Sequence, residues 1–176
     1  MRHNKNKKGQ AGYSLLEITM VAGIIIIFSF LVIIGYRIAS DSTNLTKAVN
    51  NLNSLTAGVR NIFATQGDYN GLTNSVIVSS NSIPEDMRVP GNTTQIKSPW
   101  ANNGITVTPV NVGGTADDGF EMKWNNVPRT ACQDFVTKVY RSYTVQVGGG
   151  AAVTGVAGAA TACNGTGNVT ITFTTR

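Results

Sequence analysis

Histidine, cysteine and charge are all scarce in this chain. Its 176 residues include one histidine, two cysteines and only 13% charged side chains. The histidine, His3, lies in a basic N-terminal flank. The remainder therefore has no imidazole for general-base catalysis or for a zinc site built on histidine. Cys132 and Cys163 stand far apart, with no Cys-x-x-Cys and no histidine beside them, which removes the usual metal-ligand spacings. A glycine-rich phosphate loop and a serine-nucleophile elbow are both missing. Proline is absent from Tyr13 to Gln66, and charge is absent from Ile18 to Tyr36. The first absence permits one long helix, and the second permits its start to enter lipid. The expectation is a chain that is no enzyme and holds no cofactor or metal.

The formal net charge of +5 comes from 14 basic against 9 acidic residues. Arg2, Lys5, Lys7 and Lys8 fall within residues 1–12, which contain no acid, so the rest is nearly balanced. The basic excess is a local flank rather than a nucleic-acid footprint, and no nucleic-acid partner is expected. Lys and Arg ahead of an apolar run hold that flank in the cytoplasm and send the following chain outward. The length allows one domain, and the wealth of Asn, Thr, Gly and Ser suits an exported, sheet-containing one. In that compartment a Cys132–Cys163 disulfide is the simpler reading; two separately buried thiols are the competing one.

The uncharged run from Ile18 to Tyr36 is 19 residues long. At about 1.5 Å per residue it just crosses a hydrocarbon core of about 30 Å. Glu17 sits at its outer edge, where an unpaired carboxylate costs on the order of several kcal/mol in lipid. After the run, Arg37 spoils a small-x-small cleavage site in Tyr36–Ser40, so a secretory cut there is not expected. Beyond Tyr36 the apolar character becomes one-sided. Leu45, Val49, Leu52, Leu55, Val59 and Ile62 follow 3- and 4-residue steps, and Gly67-Asp68 ends the helix.

Residues 68–103 read as loop around the apolar patch Val76-Ile77-Val78 and Pro84, Pro90 and Pro99. Strand patterns follow at Ile105–Thr108, continuing to Val110 and Val112, and at Phe120–Trp124 after an Asp118-Gly119 turn. Pro128 opens a helix whose apolar face is Cys132, Phe135, Val136, Val139 and Tyr140. Tyr143–Val147 reads as a further strand. Residues 148–161 read as a flexible low-complexity loop. Asn168–Thr175 alternates most cleanly of all, as befits a central strand or one packed on the long helix. Asp117-Asp118 offers a turn or, less simply, two calcium ligands. Glu85-Asp86 with Arg88 reads as a solvated surface group. Trp100 and Trp124 read as core anchors, with a sugar-stacking platform as the competing role.

The segment Gly12-Tyr13-Ser14-Leu15-Leu16-Glu17-Ile18-Thr19-Met20-Val21 resembles the processing signal of type IV prepilins. That resemblance implies cleavage by a membrane peptidase after Gly12, N-methylation of Tyr13, and an assembly role for Glu17 at the fifth mature position. Type II secretion pseudopilins share the signal. The family fold is α+β: a ladle with a long N-terminal helix packed on an antiparallel sheet and a disulfide-closed C-terminal region. The stretches Gly71-Leu72-Thr73-Asn74, Ile83–Met87, Ser98-Pro99-Trp100 and Asn126–Cys132 are similar to type IVb pilins, especially conjugative thin-pilus and bundle-forming pilins. Tyr13, where type IVa pilins commonly have Phe, and the proline-free run agree with that subclass. A short leader and a small mature chain depart from it.

The implied organisation is a cleaved leader (1–12), a membrane and assembly helix (13–40), an amphipathic half packed on the head (41–67) and an α/β head (68–176). The implied function is a structural subunit of a type IVb-like pilus, held in the bacterial inner membrane as a precursor and then built into an extracellular filament. Its partners would be copies of itself, the prepilin peptidase and the pilus assembly machinery, with Glu17 pairing a neighbour's Tyr13 amine. The alternatives are a minor pilin or pseudopilin and, from another class, a single-span membrane protein with a periplasmic binding head.

Overall fold

The computed structural model describes residues 14–176, with Arg37 and Ile38 described by backbone alone. The proline-free stretch forms one α-helix, α1 (Leu15–Phe63), ending a few residues before the Gly67 breaker. The chain divides into two compact units, residues 1–40 and 41–176. In the first unit, α1 presents apolar side chains all round, and none of its most apolar window is buried.

In the second unit, α1 becomes amphipathic. Leu45, Ala48, Leu52, Leu55, Val59 and Phe63 are buried, while Val49 and Ile62 pack at the margin of the same core. The stripe is thus the expected one, with Ala48 and Phe63 completing it. Gly58 lies on the buried side for a steric reason: a Cβ there would stand 2.6 Å from the Ser82 carbonyl oxygen.

Facing the helix is a six-stranded antiparallel sheet: β1 (Arg88–Val89), β2 (Asn92–Ser98), β3 (Ala101–Val110), β4 (Gly119–Pro128), β5 (Thr144–Val147) and β6 (Asn168–Thr175). Its spatial order is β1-β2-β3-β4-β6-β5. The last strand in sequence is therefore interior, flanked by β4 and β5, in keeping with its alternation. Val169, Ile171 and Phe173 point into the core together with Phe120, Met122 and Trp124 of β4. Side chains of period two on neighbouring strands thereby make one apolar face. Thr56 of α1 joins that face through its hydroxyl, 3.7 Å from Met122 Sδ and 2.9 Å from the Tyr143 hydroxyl.

Two stretches are more ordered than their composition indicates. Residues 68–103 contain α2 (Asn74–Ser79), a 3-10 turn (Glu85–Met87) and strands β1 and β2. Thr73 caps α2, its hydroxyl accepting from the Val76 N–H. The Asn74 amide then bonds Ile105 O at 2.9 Å and Val107 N at 2.8 Å, pairing with β3 as a neighbouring strand would. Residues 148–161, expected to be a flexible loop, run back along β5: Val153 N donates to Val145 O at 2.8 Å. They then form α4 (Val156–Ala162), which buries Ala159. Small side chains let this helix lie close to α3 (Arg129–Val139). Pro128 ends β4 and caps α3 rather than occupying its first turn.

Candidate assembly site

The membrane-like segment of α1 supplies the most unusual surface. Every large hydrophobic from Leu15 to Tyr36 is exposed, and even Ile24, the least exposed, is 48% accessible. A contiguous apolar surface of this kind marks contact with lipid or with protein. Polar side chains along it are satisfied locally: the Thr19 hydroxyl donates to Leu16 O at 2.9 Å and the Ser29 hydroxyl to Ile25 O at 2.8 Å. The charged side chain, Glu17, has no such bond. It lies in the first turn, where its own N–H donates to Ser14 O at 2.9 Å, and among the described residues nothing pairs with its carboxylate. The positive end of the helix dipole favours a carboxylate there, but only by about 0.3–1 kcal/mol. Gly12 and Tyr13, the expected processing positions, lie outside the described residues.

The cysteines do meet. Cys132 of α3 and Cys163, which caps α4, form a disulfide with Cα atoms 5.7 Å apart, so the reading as separate thiols falls away. Beside it, Arg129 Nη1 donates to the carbonyls of Ala162 (3.1 Å) and Asn164 (3.2 Å), satisfying the end of α4.

The other candidates have structural roles. Trp124 is fully buried, with its ring 5.2 Å from Phe135 and 6.4 Å from Phe173, and Trp100 packs edge-on at 6.3 Å. That arrangement is a core cluster and leaves no exposed stacking platform. Asp118 is a clasp rather than a calcium ligand: its carboxylate accepts from Val112 N at 2.6 Å and Gly113 N at 2.8 Å and also pairs with Arg176. The Val112 amide is the main reason its pKa is held below the ordinary carboxylate value; the Arg176 guanidinium and Gly113 amide add to it against a desolvation effect. Among the described residues no group of three potential metal ligands comes together. Glu85 is exposed and lies 3.8 Å from Arg88, but the expected solvated group holds only for the acid, since Arg88 Nε and Nη2 are buried without a hydrogen-bond partner among the described residues. Sequence reasoning missed the clasp, because Arg176 and Asp118 are far apart in the chain.

Comparison with known proteins agrees with this architecture. The family described as PilS N terminal matches residues 42–176. The major structural subunit of the bundle-forming pilus of Escherichia coli O127:H6 is 27% identical over 75% of this chain and 66% of its own length. The toxin coregulated pilin of Vibrio cholerae serotype O1 is 28% identical over 78% of this chain and 61% of its own length. This chain thus spans somewhat under two thirds of those relatives. In fold it is similar to the type IVb pilin of Salmonella typhi, with TM-score 0.56 at 20% identity, covering 75% of this chain and 97% of that one. A type IV pilin of the Vibrio cholerae El Tor biotype gives TM-score 0.55 at 16% identity, covering 76% and 99%. The match over residues 42–176 makes this chain a member of the PilS N-terminal family of type IVb pilins, a family of pilins and not of enzymes, and its long N-terminal helix, antiparallel sheet and C-terminal disulfide agree with that membership.

Proposed function

We propose that this chain is a structural subunit of a type IVb pilus, anchored in the inner membrane before assembly and packed through α1 in the filament. The observation that carries the reading is Glu17, the one carboxylate on a helix segment whose large hydrophobics are all exposed. Lateral packing of such helices removes their apolar surface from lipid or water, each large side chain contributing about 1.5–3 kcal/mol relative to water when fully buried. Glu17 then enters a low-dielectric environment and requires a counter-charge. Cleavage after Gly12 would generate an ammonium at Tyr13, subsequently N-methylated. In a staggered array Glu17 of one subunit would pair with Tyr13 of the next. A buried pair of this kind fixes register more than it adds stability. The prepilin peptidase and the assembly machinery are the partners this route requires.

The test combines two measurements on sheared surface filaments. The N-terminal mass should correspond to a chain starting at N-methylated Tyr13; an uncut Gly12–Tyr13 bond would overturn the processing scheme. Glu17→Ala should be cut normally yet yield few filaments, and wild-type filament yield would refute the pairing.

A further inference from the structure

We propose that Asn164 is a site of spontaneous backbone modification, through attack of the Gly165 nitrogen on its side-chain amide. The chain contains three Asn-Gly pairs: Asn70-Gly71, Asn103-Gly104 and Asn164-Gly165. Glycine at the second position leaves the attacking nitrogen unhindered, since no Cβ shields it. Reaction also requires the backbone and the Asn side chain to rotate until nitrogen and Cγ meet, and the fold treats the three pairs differently.

Asn103-Gly104 lies inside β3, where even a Cβ at Gly104 would stand 2.2 Å from Ser98 Oγ. Asn70-Gly71 occupies the centre of a turn closed by Leu72 N to Tyr69 O at 3.0 Å. Asn70 is further held by Asp68 Oδ1 on its N–H and Gln66 Nε2 on its carbonyl. Asn164-Gly165 belongs to neither a strand nor a closed turn. Residues 164–168 are all exposed; the Asn164 N–H donates to Thr161 O at 3.2 Å and its carbonyl accepts from Arg129 Nη1 at 3.2 Å, but no turn closes across Asn164-Gly165. Among the described residues no hydrogen bond reaches the Asn164 side chain or the Gly165 N–H, so the open backbone beyond Asn164 is what separates this pair from Asn70-Gly71.

The chemistry balances with water alone. The Gly165 nitrogen forms a bond to Asn164 Cγ, and the side-chain nitrogen leaves as ammonia, closing a succinimide. Water then opens the ring at either carbonyl, giving aspartate or isoaspartate. Both products place a carboxylate beside Arg129, whose guanidinium carbon lies 3.6 Å from where a Gly165 Cβ would be and whose buried Nε has no partner. The isoaspartate also lengthens the backbone between the disulfide and β6. An exported subunit would thus acquire charge at its disulfide-closed end with age.

The experiment incubates the full chain in detergent micelles at mildly alkaline pH and follows the three Asn-Gly peptides by mass spectrometry, beside the same protein held denatured. Expected is conversion at Asn164 about tenfold faster than at Asn70 or Asn103 in the native protein, the ratio given by a barrier difference of about 1.4 kcal/mol. The three rates should converge on denaturation, and Asn164→Gln should leave its own peptide unconverted. Conversion of Asn70 or Asn103 as fast as Asn164 in the folded chain, or an Asn164 peptide still intact when the denatured control has fully reacted, would overturn the proposal.

Discussion

Removing the disulfide should cost the head more than any surface change, and the cost can be worked from its position. The bridge joins residues 31 apart. In the chain-entropy description, cross-linking a loop of that length withdraws about 12 cal/mol/K from the unfolded ensemble, or about 3.7 kcal/mol at 25 °C. The unit spanning residues 41–176 would unfold with an entropy of about 0.29 kcal/mol/K on average per-residue values, so its melting temperature should fall by about 13 °C. Cys132→Ala/Cys163→Ala is the suitable variant, because Cys132 is fully buried and a serine there would bury a hydroxyl. The readout is near-ultraviolet circular dichroism of the Trp100–Trp124–Phe135 cluster, since Phe135 lies three residues along α3 from Cys132. A fall of under about 4 °C, the shift expected from roughly 1 kcal/mol, would refute the loop-closure reasoning. So would rapid amide exchange confined to α4 with the aromatic signal melting as in the wild type, because the bridge would then clamp only one helix.

Three further outcomes follow from named contacts. Leu52→Ala removes a fully buried side chain from the α1 stripe and should cost about 2–5 kcal/mol in urea unfolding; an unchanged midpoint would exclude residues 41–63 from the cooperative core. Gly58→Ala would help a free helix by about 1 kcal/mol, but the 2.6 Å approach to Ser82 O should turn this into a loss of about 1–3 kcal/mol, and measured stabilisation would count against that contact. Asp118 has a folded pKa below its unfolded value, so its contribution is present above the unfolded value, about 3.9, and is lost as pH falls through the folded one. The protection of the Val112 and Gly113 amides, after correction for the intrinsic pH dependence of exchange, should therefore be lost only in acid, and Asp118→Asn should abolish most of that pH dependence; loss of protection near neutrality would contradict the clasp.

The parts of the fold legible in the sequence are those in which burial itself imposes a period. β6 reads directly because Val169, Ile171 and Phe173 all face the core, and α1 beyond Asp41 reads as a stripe because one side of a helix lies on the sheet. β2, Asn92–Ser98, has little such signal: Ile96 is its only buried hydrophobic, and its buried neighbour is Ser98. That strand is held by backbone pairing and by side-chain oxygens acting on nearby amides. Asn92 Oδ1 accepts from Thr94 and Gln95 N–H, and Ser98 Oγ accepts from Trp100 and Ala101 N–H. A polar side chain used in this way has the same composition as a loop residue. α4 escapes for another reason: its helix, VAGAATA, buries only Ala159, so the contrast between an apolar and a polar face that identifies larger helices hardly arises.

The site divides along the same line, and the division bears on function. Glu17 is conspicuous in sequence because the side chains around it need no tertiary partner to be recognised as apolar. Asp118 is inconspicuous because its meaning depends on Val112, Gly113 and the distant Arg176. Arg176 carbonyl and Thr175 Oγ1 both accept from Arg60 on α1, so the clasp ties the chain's last residues to the helix within the head. The charge of Asp118 is thus used internally, on two loop amides and on Arg176, at a site water can also reach. On the exposed apolar helix the one carboxylate has no such outlet among the described residues, and burying the side chains around it would remove the water that solvates it. Stability of the isolated subunit gives little reason for a glutamate at that position, since the helix dipole offers only about 0.3–1 kcal/mol and an apolar residue would suit lipid better. A counter-charge brought by another copy during assembly does give one. Glu17→Gln separates charge from shape in that argument: it keeps the side chain's size, and it should process normally and still assemble poorly if the ion pair is what sets register.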